Sequence, residues 1–113
     1  MAAEDPVREL GIGELKRHVL LCRGPDCCAL EKGSEVWEYL KRRLKEIGLS
    51  DVYRSKVDCL RICKNGPIAL VYPEGTWYDH VDQSKMERII QTHLAGGTPL
   101  SDESFAVNPL APL

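Results

Sequence analysis

Cys59-Leu60-Arg61-Ile62-Cys63-Lys64-Asn65-Gly66-Pro67 runs directly into the most apolar stretch of the chain, Ile68-Ala69-Leu70-Val71-Tyr72. Two thiols separated by three residues, at the mouth of a run that reads as a buried strand, mark a place where something is bound. A second group, Cys22, Cys27 and Cys28, follows another apolar run, Val19-Leu20-Leu21. The rest of the chain reads as scaffold that brings these two groups together.

With 113 residues the chain fits one domain able to bury its own core. Fifteen Lys and Arg against seventeen Asp and Glu leave a net charge of −2, which excludes a general nucleic-acid binder with its basic face. No apolar stretch approaches the roughly 20 residues that span a bilayer. Met1-Ala2-Ala3-Glu4-Asp5-Pro6 has no hydrophobic region of the secretory kind, so a cytoplasmic protein is expected. In that compartment thiols stay reduced, and five cysteines, an odd number, point to metal binding or catalysis more than to a disulfide framework.

Residues 1–15 read as a leader, loose or briefly helical. From Lys16 the pattern changes to a strand that ends in Cys22. Arg23-Gly24-Pro25-Asp26 is a turn, and 27–33 a loop. Ser34 is the expected N-cap of a helix with Val36, Leu40, Leu44 and Ile47 on one stripe, Trp37 beside it, and Gly48 as its stop. Residues 51–58 are β-prone but half polar, as an edge strand would be. After the cysteine loop, the strand 68–72 turns through Pro73-Glu74-Gly75 into a returning strand, 77–81. Asp82 can cap a second helix with Met86, Ile89, Ile90 and Leu94 on one face, ended by Gly96-Gly97. Residues 98–113 read as an extended tail. Strand, helix, strand, cysteine loop, hairpin and helix make a compact α/β (α+β) arrangement: a small mixed sheet with two main helices, both cysteine loops at strand ends.

Spacing separates the possible ligands. Structural zinc sites and thioredoxin-type dithiols favour two residues between cysteines. The gaps here are wider: four from Cys22 to Cys27, or five to Cys28, and three from Cys59 to Cys63. Four thiolates from two loops suit a 2Fe–2S cluster, each iron taking two. Inert thiols, a redox dithiol and a zinc-stabilised interaction module are the competing readings. His18, His80 and His93 stand at no ligand spacing from a cysteine, so a Rieske-type centre is not expected, and each reads as surface or strand polarity. Trp37, Trp77 and Tyr78 read as packing. Asp26, Glu31 and Asp58 do not form a catalytic pair.

The strand ending in Cys22, the gap to Cys27, the Gly33-Ser34 helix start, Cys59-x3-Cys63, Asn65-Gly66-Pro67 and the 72–78 hairpin together resemble the thioredoxin-like 2Fe–2S ferredoxins. They are similar also to the related small subunit of bacterial NADH:quinone oxidoreductase and of hydrogenases. The resemblance covers residues 16–97, which bounds the expected domain. It implies a thioredoxin-like fold, a 2Fe–2S cofactor on Cys22, Cys27, Cys59 and Cys63, and a homodimer. The doublet Cys27-Cys28 departs from the pattern. The family's four-residue gap selects Cys27, whereas counting back from Gly33-Ser34 brings Cys28 nearer the usual distance; Cys27 is preferred.

The implied function is one-electron transfer between redox protein partners, with no substrate transformed. The alternative is an electron-transfer subunit of a larger NADH- or hydrogen-oxidising complex. That family usually carries a helical extension, where residues 1–15 alone precede the first strand here. Arg23, Arg61 and Lys64 flank the cysteines. Their charge is either solvated or favours the reduced state of a cluster of charge about −2 and offers an acidic partner a docking patch. Trp77 and Tyr78 could line a dimer contact.

Overall fold

Strand β1 (Arg17–Cys22) is hydrogen-bonded on both sides, and this decides the architecture. On one side it pairs in parallel with β2 (Val52–Val57), reached through the crossover helix α2 (Leu30–Glu46). On the other it pairs antiparallel with β3 (Ile68–Tyr72), which turns into β4 (Thr76–Tyr78). The computed structural model describes residues 4–24, 28–62 and 64–109. Helix α3 (Gln83–Arg88) continues through Ile89–Ala95 in wider π-helical turns, and β5 (Ser104–Val107) closes the order β2-β1-β3-β4-β5. β2 is an edge strand, as its half-polar composition requires.

Alternation sorts the side chains. Val19 and Leu21 of β1, Ala69 and Val71 of β3 and Tyr78 of β4 join Val36, Leu40 and Leu44 of α2 and Met86, Ile89, Ile90 and Leu94 in one core. The opposite parity places Cys22 and Ile68 in a separate small cluster, packed by Cys28, Val57, Leu60 and Trp77. Between the helices, Glu87 accepts from the Tyr39 hydroxyl at 2.6 Å and from Arg43 Nε at 2.8 Å. Hydrogen bonds from Arg43, Tyr39 and Gln91 hold its carboxyl down at about 2.

The ends of α2 show what local chemistry decides and what it does not. Gly48 takes φ +73°, its amide bonds the Lys45 carbonyl, and the Leu49 amide reaches the Leu44 carbonyl, closing a Schellman turn. Ile47, expected on the buried stripe, is 37% exposed at this cap. The helix begins at Leu30, so Ser34 lies inside it and does not cap it. Ala29 occupies the N-cap with no side-chain bond. The reason is tertiary: buried Gly33 lies with its Cα against the backbone of Arg23, so the helix must already be formed where the chain leaves β1.

Asp82 caps α3, its carboxylate accepting from the Lys85 amide at 2.8 Å. The returning strand, expected over 77–81, ends at Tyr78. His80 adopts φ +50°, and the amides of His80 and Val81 bond Asn65 and Pro67 carbonyls of the cysteine loop. The stretch expected to be an extended tail contains a 3-10 turn, Ser101–Glu103, and then β5, paired antiparallel with β4. Gly75 at φ +69° lies against the Asn108 backbone, and their amide and carbonyl bond at 2.8 Å. Within the leader, Glu4–Leu10 form helix α1. Among the described residues no helix is long and apolar enough to cross a membrane.

Candidate metal centre

Sheet order brings the cysteine segments together. β1 lies between β2 and β3, so the 58–67 connection has to pass across the end of β1, where Cys22 stands. Cys22 is fully buried, opposite Val57 on one side and Ile68 on the other. Its Sγ lies 3.4 Å from the carbonyl of Asp58, the residue preceding Cys59. Exposed Cys59 accepts a hydrogen bond at Sγ from the Arg61 amide at 3.1 Å, a contact that stabilises negative charge on sulfur. Arg61 takes φ +71° there.

Cys28 packs against the Cys22–Ile68 cluster, half-buried. Gly24, at φ +94°, lies against the Cys28 carbonyl, and a methyl on it would also sit 3.4 Å from Cys28 Sγ. Cys27 and Cys63, two of the five predicted site residues, lie outside the described residues, as does Asp26. Among the described residues no three His, Cys, Asp or Glu side chains form a metal-holding group. The fit therefore rests on donor chemistry: three thiols drawn to one end of the sheet, a backbone N–H on one sulfur, and apolar Val57, Leu60, Ile68 and Trp77 around them. Soft sulfur donors in such a shell suit an iron–sulfur group.

No family model matches the chain. A protein of Priestia megaterium named provisionally as a 2Fe–2S ferredoxin is 36% identical over 87 residues, 77% of this chain and 68% of that one. The 2Fe–2S ferredoxin of Clostridium pasteurianum is 31% identical over 90 residues, 73% of this chain and 88% of that one. The chain belongs to the 2Fe–2S ferredoxins. Its fold matches a solved thioredoxin-like [2Fe-2S] ferredoxin of Aquifex aeolicus with TM-score 0.74 at 24% identity, covering 85% of this chain and 96% of the other. The thioredoxin-like α/β fold expected from the element order is thereby established.

Charges around the ferredoxin's cysteine segments are unevenly placed. Arg23 Nη2 approaches Asp58 Oδ1 at 3.6 Å. Arg61 and Lys64 are exposed, and neither has an ion-pair partner among the described residues. Glu31 is exposed in the first turn of α2. Trp37 is half-buried on α2 with Arg54 and Lys56 over its ring at 5.5 and 5.6 Å.

Two histidines fit the expected surface or strand polarity. His18 Nε2 bonds Ser55 Oγ at 2.8 Å, and His80 is exposed beside Asp79. His93 does not: it is fully buried. The Leu100 amide donates to Tyr78 Oη, Tyr78 hydroxyl and His93 Nδ1 lie 2.8 Å apart, and His93 Nε2 is 2.8 Å from Glu74 Oε1. Arg17 completes the chain with two bonds to Glu74, at 3.1 and 2.7 Å. An ionised carboxylate only accepts, so His93 carries a proton on Nε2; burial disfavours a second proton, and the neutral ring's Nδ1 then receives the tyrosine hydroxyl. The helical spacing of His93 from Met86, Ile89 and Ile90 was the available signal of burial.

Burial pushes the Glu74 carboxyl up, but bonds from Arg17 and His93 outweigh it and hold it at about 2. Burial lowers His93, and Glu74 only partly offsets this. Both shifts remove stability on acidification. As pH falls below the ordinary 6.5 of histidine, unfolded chains take a proton that buried His93 resists. As it falls from 4.5 through about 2, Glu74 and Glu87 lose the charge their donors require. The melting temperature should fall in both windows, and Glu74→Gln should flatten the second. An unchanged acid profile in Glu74→Gln would show that this network does not govern acid stability.

Proposed function

We propose that this chain is a one-electron carrier, and that Cys22, Cys27, Cys59 and Cys63 hold its single 2Fe–2S cluster, with Cys28 in reserve. The observation that supports this reading is the Cys22 Sγ contact with the Asp58 carbonyl, which brings Cys22 beside the segment that carries Cys59. When bound, the cluster supplies a one-electron couple. The chain's own residues do the rest. Cys22 is a buried anchor on a strand paired on both sides. The Arg61 amide stabilises charge on Cys59 Sγ. Leu60, Ile68 and Trp77 restrict water, and drier surroundings shift the potential. The chain transforms no substrate, passes electrons between redox protein partners, and works in the cytoplasm.

Anaerobically purified protein should be red-brown and contain about two irons per chain. A colourless zinc protein would overturn the proposal. Cys27→Ala and Cys28→Ala assign the fourth ligand: Cys27→Ala should lose most of the visible absorbance and Cys28→Ala should keep it. The reverse result would move the ligand to Cys28.

A homodimer is part of the proposal. Phe105 and Val107 on edge strand β5 are 43% and 61% exposed, and Phe105 meets the half-buried Trp77 ring edge-on, so this border is apolar and open to a second copy. Sedimentation should give twice the chain mass, and Phe105→Glu should halve it. A wild-type monomer would refute this part alone.

A further inference from the structure

The loop that carries Cys59 presents a charge pattern that electron storage does not require. From 59 to 67 it holds two cations, Arg61 and Lys64, and no carboxylate, in a chain whose net charge is −2. Both cations are exposed, and neither has an ion-pair partner among the described residues. Between them Ile62 is 38% exposed. Asp58, the nearest carboxylate in sequence, is faced by Arg23 at 3.6 Å. We propose that Arg61, Ile62 and Lys64 form the docking surface for an acidic redox-protein partner, whose carboxylates seat on the two cations around an apolar contact at Ile62.

The inference rests on the electron-carrier reading, since among the described residues Cys59 is the exposed thiol of this end and a partner must approach there. Charge complementarity selects the partner. An acidic protein is repelled by the molecule as a whole and attracted by this end, so the collision is oriented before contact. One apolar side chain within a cationic rim suits the small, short-lived interfaces of electron-transfer pairs, which bury less than about 1,200 Å². Uncompensated arginine and lysine at a rim raise association rates more than they deepen affinity, as turnover between donor and acceptor demands.

The test uses iron-loaded protein and fluorescein-labelled poly-L-glutamate, with binding read by anisotropy at low salt. Wild type should bind, the Arg61→Glu/Lys64→Glu variant should bind about tenfold more weakly, and added salt should abolish the difference. The control Lys41→Glu/Lys45→Glu reverses two exposed cations of α2, towards the end opposite Cys28, and should retain wild-type binding. Equal loss in both variants, no loss in the first, or no wild-type binding would overturn the proposal. So would tighter binding of a labelled oligodeoxynucleotide, which would reassign the surface to nucleic acid. Should charge reversal disturb iron content, Arg61→Gln/Lys64→Gln gives the same reading. Wild-type protein that takes up no iron, yet still binds poly-L-glutamate more tightly than Arg61→Glu/Lys64→Glu, would refute the electron-carrier reading and leave the cationic surface standing.

Discussion

Cys22→Ala should purify colourless, with iron at background, while its far-UV circular dichroism matches wild type. This is the largest effect expected of any single substitution. Cys22 is fully buried, and β1 is paired on both sides at its register, so its sulfur is fixed at the end of the strand, where no side chain carried on another backbone path takes the same position. Alanine removes one sulfur from a small cluster, a loss of packing worth about 1 kcal/mol. The fold therefore survives while the site does not. Alanine is the informative replacement because serine retains an oxygen donor. Full iron content in Cys22→Ala would remove this residue from the ligand set and with it the proposed centre.

Gly33→Ala should lower stability by about 2 kcal/mol, or roughly 10 °C in melting temperature for a domain of this size. The sign is the point. In an ordinary helix interior, replacing glycine with alanine gains up to ~1 kcal/mol. Here the added methyl meets the Arg23 backbone, which cannot rotate away as a side chain would. Relief requires moving the chain just after Cys22, so iron occupancy should fall with stability. The measurement is the melting temperature at matched iron loading, because ligand binding alone shifts it. Lys32→Ala, at an exposed position one residue earlier, serves as control. A stabilised Gly33→Ala would mean that α2 does not rest on Arg23.

These two positions also separate the legible from the illegible. The strand ending in Cys22, the Val36-Leu40-Leu44 stripe, the Gly48 stop and the Asp82 cap all lie where expected, because each depends on periodicity or on groups within a few residues. The true start of α2 was hidden. Ser34 is a favoured N-cap residue type, but the approach of Arg23 to Gly33 is a contact between segments that no window over the helix contains. β5 was hidden for the same reason, since a four-residue edge strand carries little pattern and takes its pairing from β4. His93 stood at a legible spacing, yet a histidine is buried only if partners exist, and those are Tyr78 and a Glu74 already held by Arg17.

By itself the sequence determined where the five thiols stand along the chain, their two groups and the α/β order, since cysteine spacing and hydrophobic period are properties of neighbouring residues. Tertiary structure alone decided that the 58–67 connection crosses the end of β1 and sets Asp58 against Cys22. It also left Arg61, Ile62 and Lys64 facing solvent beside them. The physical reason is that β1 pairs with two strands distant in sequence, and only that pairing defines which loops share an end of the sheet.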